Sequence, residues 1–218
     1  INFSTRNQGL AMYQINEYKD VDYLPRVVIS SMLAYLYLPH LRKYLNLKDI
    51  FPEFKKPKVK SLMEKYSLNF SPYLIMSLIR QESAFDYRAT SPAKASGLMQ
   101  IIPSTAKMIS KRLKKNNYNM HNPEDNLNFG VYYLSGLIKD FENQIIYALS
   151  AYNAGPSVAK RWQNIMGHLD PIDFIESIPY NETRKYVKLI LRNYAIYQML
   201  YEKKSVTLVH EDISKKKI

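Results

Sequence analysis

The chain has no cysteine. That excludes a disulfide framework, thiolate zinc sites and a cysteine nucleophile. It suits the cytoplasm, and equally an oxidising compartment where stray thiols are a liability. Glycine is scarce, at 6 of 218 residues, and long stretches without turn signals favour helix over sheet. The longest apolar-rich stretch, VVISSMLAYLYL at 27–38, is too short to span a bilayer. The four histidines are scattered with no pair at metal-ligand spacing, so no metal or other cofactor is expected. There is no repeat at a fixed period, no low-complexity tract and no helix-turn-helix or RNA-binding fingerprint. The chain begins with isoleucine and carries no signal peptide, which reads as a mature piece cut from something longer.

What is present is ordinary globular material, 46% apolar and 23% charged, with 19 tyrosines. Lysine and arginine outnumber aspartate and glutamate by 31 to 19, a formal charge of +12. Such a surface is drawn to polyanions: nucleic acid, anionic lipid or an acidic cell-wall polymer. Charge alone does not choose among them. The dense basic clusters, KKPKVK (55–60), KRLKK (111–115) and KKK (215–217), are short enough to be plain solvated runs.

Residues 1–58 contain one strong helical stretch at roughly 25–48, interrupted near Pro39. FPEFKKPKVK then reads as a linker or turn, and sets a boundary between a helical segment, 1–58, and a main unit, 59–200. In that unit Ser71-Pro72 and Asn122-Pro123-Glu124 are helix starts: a side-chain oxygen caps free N–H groups, and proline fits the first turn. Leu127, Val131, Leu134 and Ile138 have the spacing of one helix face. Further helices are expected over NQIIYALSAYN, PSVAKRWQNIM and ETRKYVKLILRNYAIYQML. ATSPAKASGLMQIIPSTA, punctuated by serine, proline and glycine, reads as an irregular loop with a small hairpin. The tail, 201–218, is polar. The fold class is mainly α with a small extended element.

One acid stands out. In a helix from Ser71, at about 100° per residue, Ile75, Leu78, Ile79 and Glu82 share a face. Partial desolvation there, and the negative end of the helix dipole, both raise the pKa of a carboxyl. An acid that keeps its proton near neutral pH can serve as a general acid. The alternative is a structural ion pair with Arg80, Arg88 or a distant lysine. Asp86, one turn on, is poorly placed as the second carboxylate of glycoside chemistry.

Four blocks occur in order: RQESAF (80–85), SPAKASGLMQIIP (91–103), ALSAYNAGP (148–156) and SIPYNETRKYV (177–187). Over roughly residues 60–200 the chain resembles the soluble lytic transglycosylase family of peptidoglycan-cleaving enzymes. The resemblance implies a lysozyme-like catalytic domain with a glycan groove, preceded by a helical linker in residues 1–58. It implies cleavage of the β-1,4 bond between N-acetylmuramic acid and N-acetylglucosamine without water. One carboxyl protonates the leaving oxygen, then takes a proton from the muramyl C6 hydroxyl, which closes onto C1. The missing second carboxylate fits substrate-assisted chemistry of this kind. The implied partners are peptidoglycan glycan strands and their stem peptides, and the implied location is the periplasm.

On this resemblance Glu82 matches the catalytic acid and Ser83 follows it. Ser91 matches a loop serine that helps polarise the reacting region; alone it is a turn residue before Pro92. Gln100 can donate to and accept from an N-acetyl group. Met99 and Ile102 are either an apolar groove wall or core. Tyr152 is expected to aim its hydroxyl at Glu82, and Asn153 either holds a sugar or caps a helix that Gly155 ends. Glu182 and Tyr186, one turn apart, are expected to line the groove. Two other readings stay open: a goose-type lysozyme-like hydrolase, in which water replaces the C6 hydroxyl, and a non-catalytic glycan-binding module. A basic nucleic-acid binder is the third class, and the short lysine clusters do not favour it.

Overall fold

The computed structural model describes residues 24–204. Residues 1–23, and residues 205–218 of the polar tail, lie outside the described part. Ten α-helices follow one another in it: α1 Leu24–Tyr37, α2 Leu47–Ile50, α3 Lys56–Lys65, α4 Tyr73–Ser83, α5 Pro103–Leu113, α6 Pro123–Asp140, α7 Ile145–Ala154, α8 Pro156–Met166, α9 Pro171–Ser177 and α10 Asn181–Tyr197. A 3-10 turn, Pro39–Tyr44, joins α1 to α2, and a π turn, Gln198–Glu202, closes α10. The extended element consists of isolated bridges, Thr90 with Ser96 and Ser96 with Ile101.

The helix starts follow local chemistry. Asn122 Oδ1 accepts from the backbone N–H groups of Glu124 at 2.9 Å and Asp125 at 3.2 Å, so α6 begins there. Asp170 does the same for α9. Pro103, Pro123, Pro156 and Pro171 all stand in first turns, where no backbone donor is needed. PSTA at 103–106 therefore opens α5, although it reads as loop in the sequence: an extended Ile102 precedes a proline suited to a helix start. FPEFKKPKVK holds a turn and then the first residues of α3, with Phe51 and Phe54 buried.

The core is centred on α4, whose residues from Tyr73 to Arg80 are all buried. α4 packs most extensively on α10; α10 also packs on α7, and α7 on α6 and α8. The tyrosines explain part of how the ends are tied. Tyr73, Tyr197 and Tyr201 stack, with ring centroids 5.3–6.0 Å apart. Tyr197 and Tyr201 donate to the carbonyls of Pro52 and Phe51 at 2.9 and 2.8 Å, fastening the last described helical turns to the stretch before α3. Arg80 leaves α4 on that side: its Nε donates to the Ile50 carbonyl at 3.0 Å, and its guanidinium lies 4.4 Å from the Phe51 ring centroid.

Candidate active site

Glu82 lies in the last turn of α4, where the backbone leaves the helix abruptly. Ala84 and Phe85 both have positive φ, 49° and 70°. Left-handed residues of this kind cost about 1–2 kcal/mol each. Complete burial of the Phe85 ring, packed on Phe54 at 5.8 Å, offsets a comparable amount. The turn stops α4 immediately after the acid and sends the chain into the 86–102 loop.

That loop is held from below by one residue. The side chain of Asn126, wholly buried in α6, accepts from Met99 N–H and donates to the carbonyls of Ser96 and Met120, each at 2.8 Å. Gly97 has φ 75°, and a Cβ there would lie 2.2 Å from the Met120 carbonyl oxygen, so this turn demands glycine. Ser83 Oγ donates to the Leu98 carbonyl at 2.9 Å and ties the end of α4 to the same loop.

Three elements then converge on a cleft of about 300 Å³. α4 supplies Gln81 and Glu82, the end of α7 supplies Asn153, and α10 supplies Glu182, Lys185, Tyr186 and Leu189. Tyr186 Oη donates to Glu82 Oε1 at 2.5 Å. Asn153 Oδ1 accepts from Thr183 Oγ1 at 2.6 Å, which fixes the end of α7 against α10. Among the described residues Glu82 forms no ion pair, and Arg80 points to Ile50 instead. The ion pair with Arg80 that the sequence left open does not form.

Burial pushes the Glu82 carboxyl up to about 7, against the Tyr186 hydrogen bond, which favours the ionised form; the nearby Glu182 carboxylate adds to the rise. The Tyr186 hydroxyl is itself pushed well above its ordinary value by burial and then by Glu82, so it stays a neutral donor. The same holds for Tyr152. A carboxyl poised near neutrality in a cleft can release a proton and later regain one.

Of the residues singled out in the sequence, Glu82, Asn153, Glu182 and Tyr186 come together around the cleft. The others sit elsewhere. Tyr152 does not hydrogen-bond Glu82; it donates to the Met99 carbonyl at 2.8 Å. The tyrosine that holds the acid is Tyr186. The Met99 side chain is wholly buried against Gly130, where a Cβ would meet its Sδ at 2.2 Å, so it is core and not groove wall. Ser91 Oγ accepts from Ala95 N–H at 3.1 Å, closing its own turn. The Gln100 amide nitrogen donates to Ala89 and Gly97 carbonyls at 3.2 and 2.9 Å, and Ile102 is 41% exposed beside it. Three cleft residues were not singled out: Gln81, Lys185 and Leu189. Gln81 neighbours Glu82, and Lys185 and Leu189 are one turn apart on the face that begins at Glu182, so helical spacing from Glu182 would have found the latter two. Among the described residues no group of three metal-ligating side chains forms.

A family model described as the transglycosylase SLT domain matches residues 60–175, and one described as the soluble lytic transglycosylase helical domain matches 177–205. The chain belongs to the transglycosylase SLT family. It is 41% identical over 177 residues to the soluble lytic murein transglycosylase of Salmonella typhimurium, covering 78% of this chain and 26% of that protein. The Escherichia coli K12 protein of the same description is 42% identical over 128 residues, 56% of this chain and 20% of its own length. The chain thus spans about a quarter of the length of these relatives. The structure of the 70 kDa soluble lytic transglycosylase of E. coli superposes with a TM-score of 0.80 at 30% identity, over 98% of this chain and 33% of that one. An inactive mutant of the lytic transglycosylase Slt of Pseudomonas aeruginosa superposes at 0.70 and 28%, over 93% and 34%. The architecture is the lysozyme-like one of this SLT family, and no described helix is long and apolar enough to cross a membrane.

Proposed function

We propose that this chain cleaves the β-1,4 bond between N-acetylmuramic acid and N-acetylglucosamine in peptidoglycan by lytic transglycosylation. The observation that carries the reading is the buried carboxyl of Glu82 at the wall of a cleft, held by Tyr186, with burial pushing its pKa up to about 7. In the first step Glu82 gives its proton to the bridging oxygen, and the bond to the muramyl C1 breaks. The positive charge at C1 is met by the substrate's own N-acetyl oxygen. Glu82, now a carboxylate accepting from Tyr186, takes the proton of the muramyl C6 hydroxyl as that oxygen bonds to C1. A 1,6-anhydro end results, no water is consumed, and the acid returns protonated.

The names of the relatives support this reading, and the 70 kDa E. coli enzyme has also been crystallised in complex with bulgecin A. Bulgecin A is expected to bind this chain as well. Residues 59–200 would be the catalytic unit, with 1–58 a linker-like segment and 201–218 a tail, working in the periplasm on glycan strands with their stem peptides. Of the residues outside the cleft walls, Gln100 and Ile102 are proposed to meet the glycan, and Ser83, Ser91, Met99 and Tyr152 to shape the loop that meets it.

One observation favours a second reading. Glu182 shares the cleft, so a second carboxyl is present, as ordinary glycoside hydrolysis uses; the second reading is a goose-type lysozyme-like hydrolase, in which water replaces the C6 hydroxyl. Mass spectrometry of muropeptides released from purified sacculi decides. Transglycosylation gives 1,6-anhydromuramyl ends; reducing ends would establish hydrolysis; no release would leave a glycan-binding module.

A further inference from the structure

α10 carries four basic residues, and only Lys185 among them lines the cleft; the other three are engaged elsewhere, Arg192 with Asn193. Arg184 donates to the Ile178 carbonyl at 2.9 Å, and Lys188 pairs with Glu176 at 2.6 Å. Lys185 is different. It lines the cleft, it is exposed, and among the described residues it has no hydrogen bond or ion pair. Glu182 stands three residues earlier, at the spacing where a helix brings opposite charges together, and the two are not paired. Nor is Lys185 among the influences on the Glu82 carboxyl, which are burial, Tyr186 and Glu182. A cation in a reaction cleft, committed neither to the fold nor to the acid, is left for the ligand.

We propose that Lys185 is a specificity-determining residue that binds a carboxylate of the stem peptide on the muramyl residue undergoing cleavage. The inference rests on the transglycosylase reading of the same cleft. The muramyl sugar whose C1 reacts must place that carbon at Glu82, and its lactyl ether then carries the peptide away from the acid along an adjoining wall. The wall formed by α10 runs from Glu182 through Lys185 to Leu189. It offers an ammonium with three donors and, one turn on, an apolar side chain for a short peptide side chain. Peptide-bearing strands are therefore preferred over bare glycan, and the preference depends on the charge at position 185.

The test compares kcat/KM on two forms of one substrate: glycan strands bearing tetrapeptides, and the same strands stripped by an amidase with the lactyl carboxylates so released capped as amides. The parent is expected to favour the peptide-bearing form. Lys185→Met is expected to reduce that preference roughly fivefold, mainly through KM, the scale of one partly solvated charge contact. Lys185→Arg is expected to retain most of it. Rising salt is expected to erode the preference of the parent more than that of Lys185→Met. An unchanged preference in Lys185→Met overturns the proposal, as does a loss that Lys185→Arg shares in full. A parent that cleaves neither substrate fells the assigned reaction itself and takes this proposal with it, whereas cleavage of both with no role for Lys185 fells this proposal alone.

Discussion

Tyr186 donates to the carboxyl of Glu82 at 2.5 Å, from a residue 104 positions later in the chain. The bond acts against burial. Burial favours the protonated acid, and the phenol favours the carboxylate that must exist between the two proton transfers. In the proposed reaction this pair would let one side chain serve as acid and then as base.

Removing the phenol should separate these effects. Tyr186→Phe takes away what favours the ionised form, so the Glu82 pKa rises further and the alkaline limb of the kcat/KM profile moves to higher pH. The carboxylate needed for the second step loses a charge-assisted hydrogen bond, and kcat at pH 7 should fall about 10- to 100-fold. A pH-rate profile of the purified variant on sacculi, set beside the parent, measures both.

Glu182→Gln should shift the same limb the other way. The Glu182 carboxylate disfavours a second negative charge at Glu82, so its removal lowers the Glu82 pKa and the alkaline limb moves to lower pH. The shift should be smaller than the rise burial imposes, because burial is the larger cause. The measurement is again kcat/KM against pH. Near-total loss of activity at every pH would instead mark Glu182 as the second carboxylate of a hydrolase.

The acid should also cost the fold stability at high pH. Its pKa is about 7 in the folded chain and 4.5 in the unfolded one. The unfolded state therefore releases its proton first as pH rises. The parent's stability is intact below 4.5, declines between 4.5 and 7, and carries a constant deficit above 7 that approaches ~3 kcal/mol. Glu82→Gln has no such deficit. Urea unfolding should find the variant level with the parent near pH 4 and more stable by up to that amount at pH 8.

How far the sequence could be read follows from where each contact lies. Glu82 was visible because its burial comes from its own helix: Ile75, Leu78 and Ile79 share its face at helical spacing. The starts at Asn122 and Pro156 were visible because a cap or a first-turn proline acts within a few residues. The choice between tyrosines was not, since Tyr152 and Tyr186 both stand near the acid and only three-dimensional placement sends one hydroxyl to Met99 and the other to Glu82. Met99 could not be assigned to core without knowing that Gly130 leaves room for its sulfur. Nor did any local pattern reveal Asn126, whose side-chain hydrogen bonds reach back across 27 and 30 residues to the loop. The resemblance to a known family found the blocks; the geometry separates the residues that line the cleft from those that build it.

In the proposed reaction the proton Glu82 takes back comes from the substrate's own C6 hydroxyl and not from water. Digestion of purified sacculi in water labelled with oxygen-18, followed by mass spectrometry of the released muropeptides, tests it directly. 1,6-Anhydromuramyl ends with no label are expected, and no release at all by Glu82→Gln. Label at the muramyl C1 hydroxyl of newly formed reducing ends would contradict it.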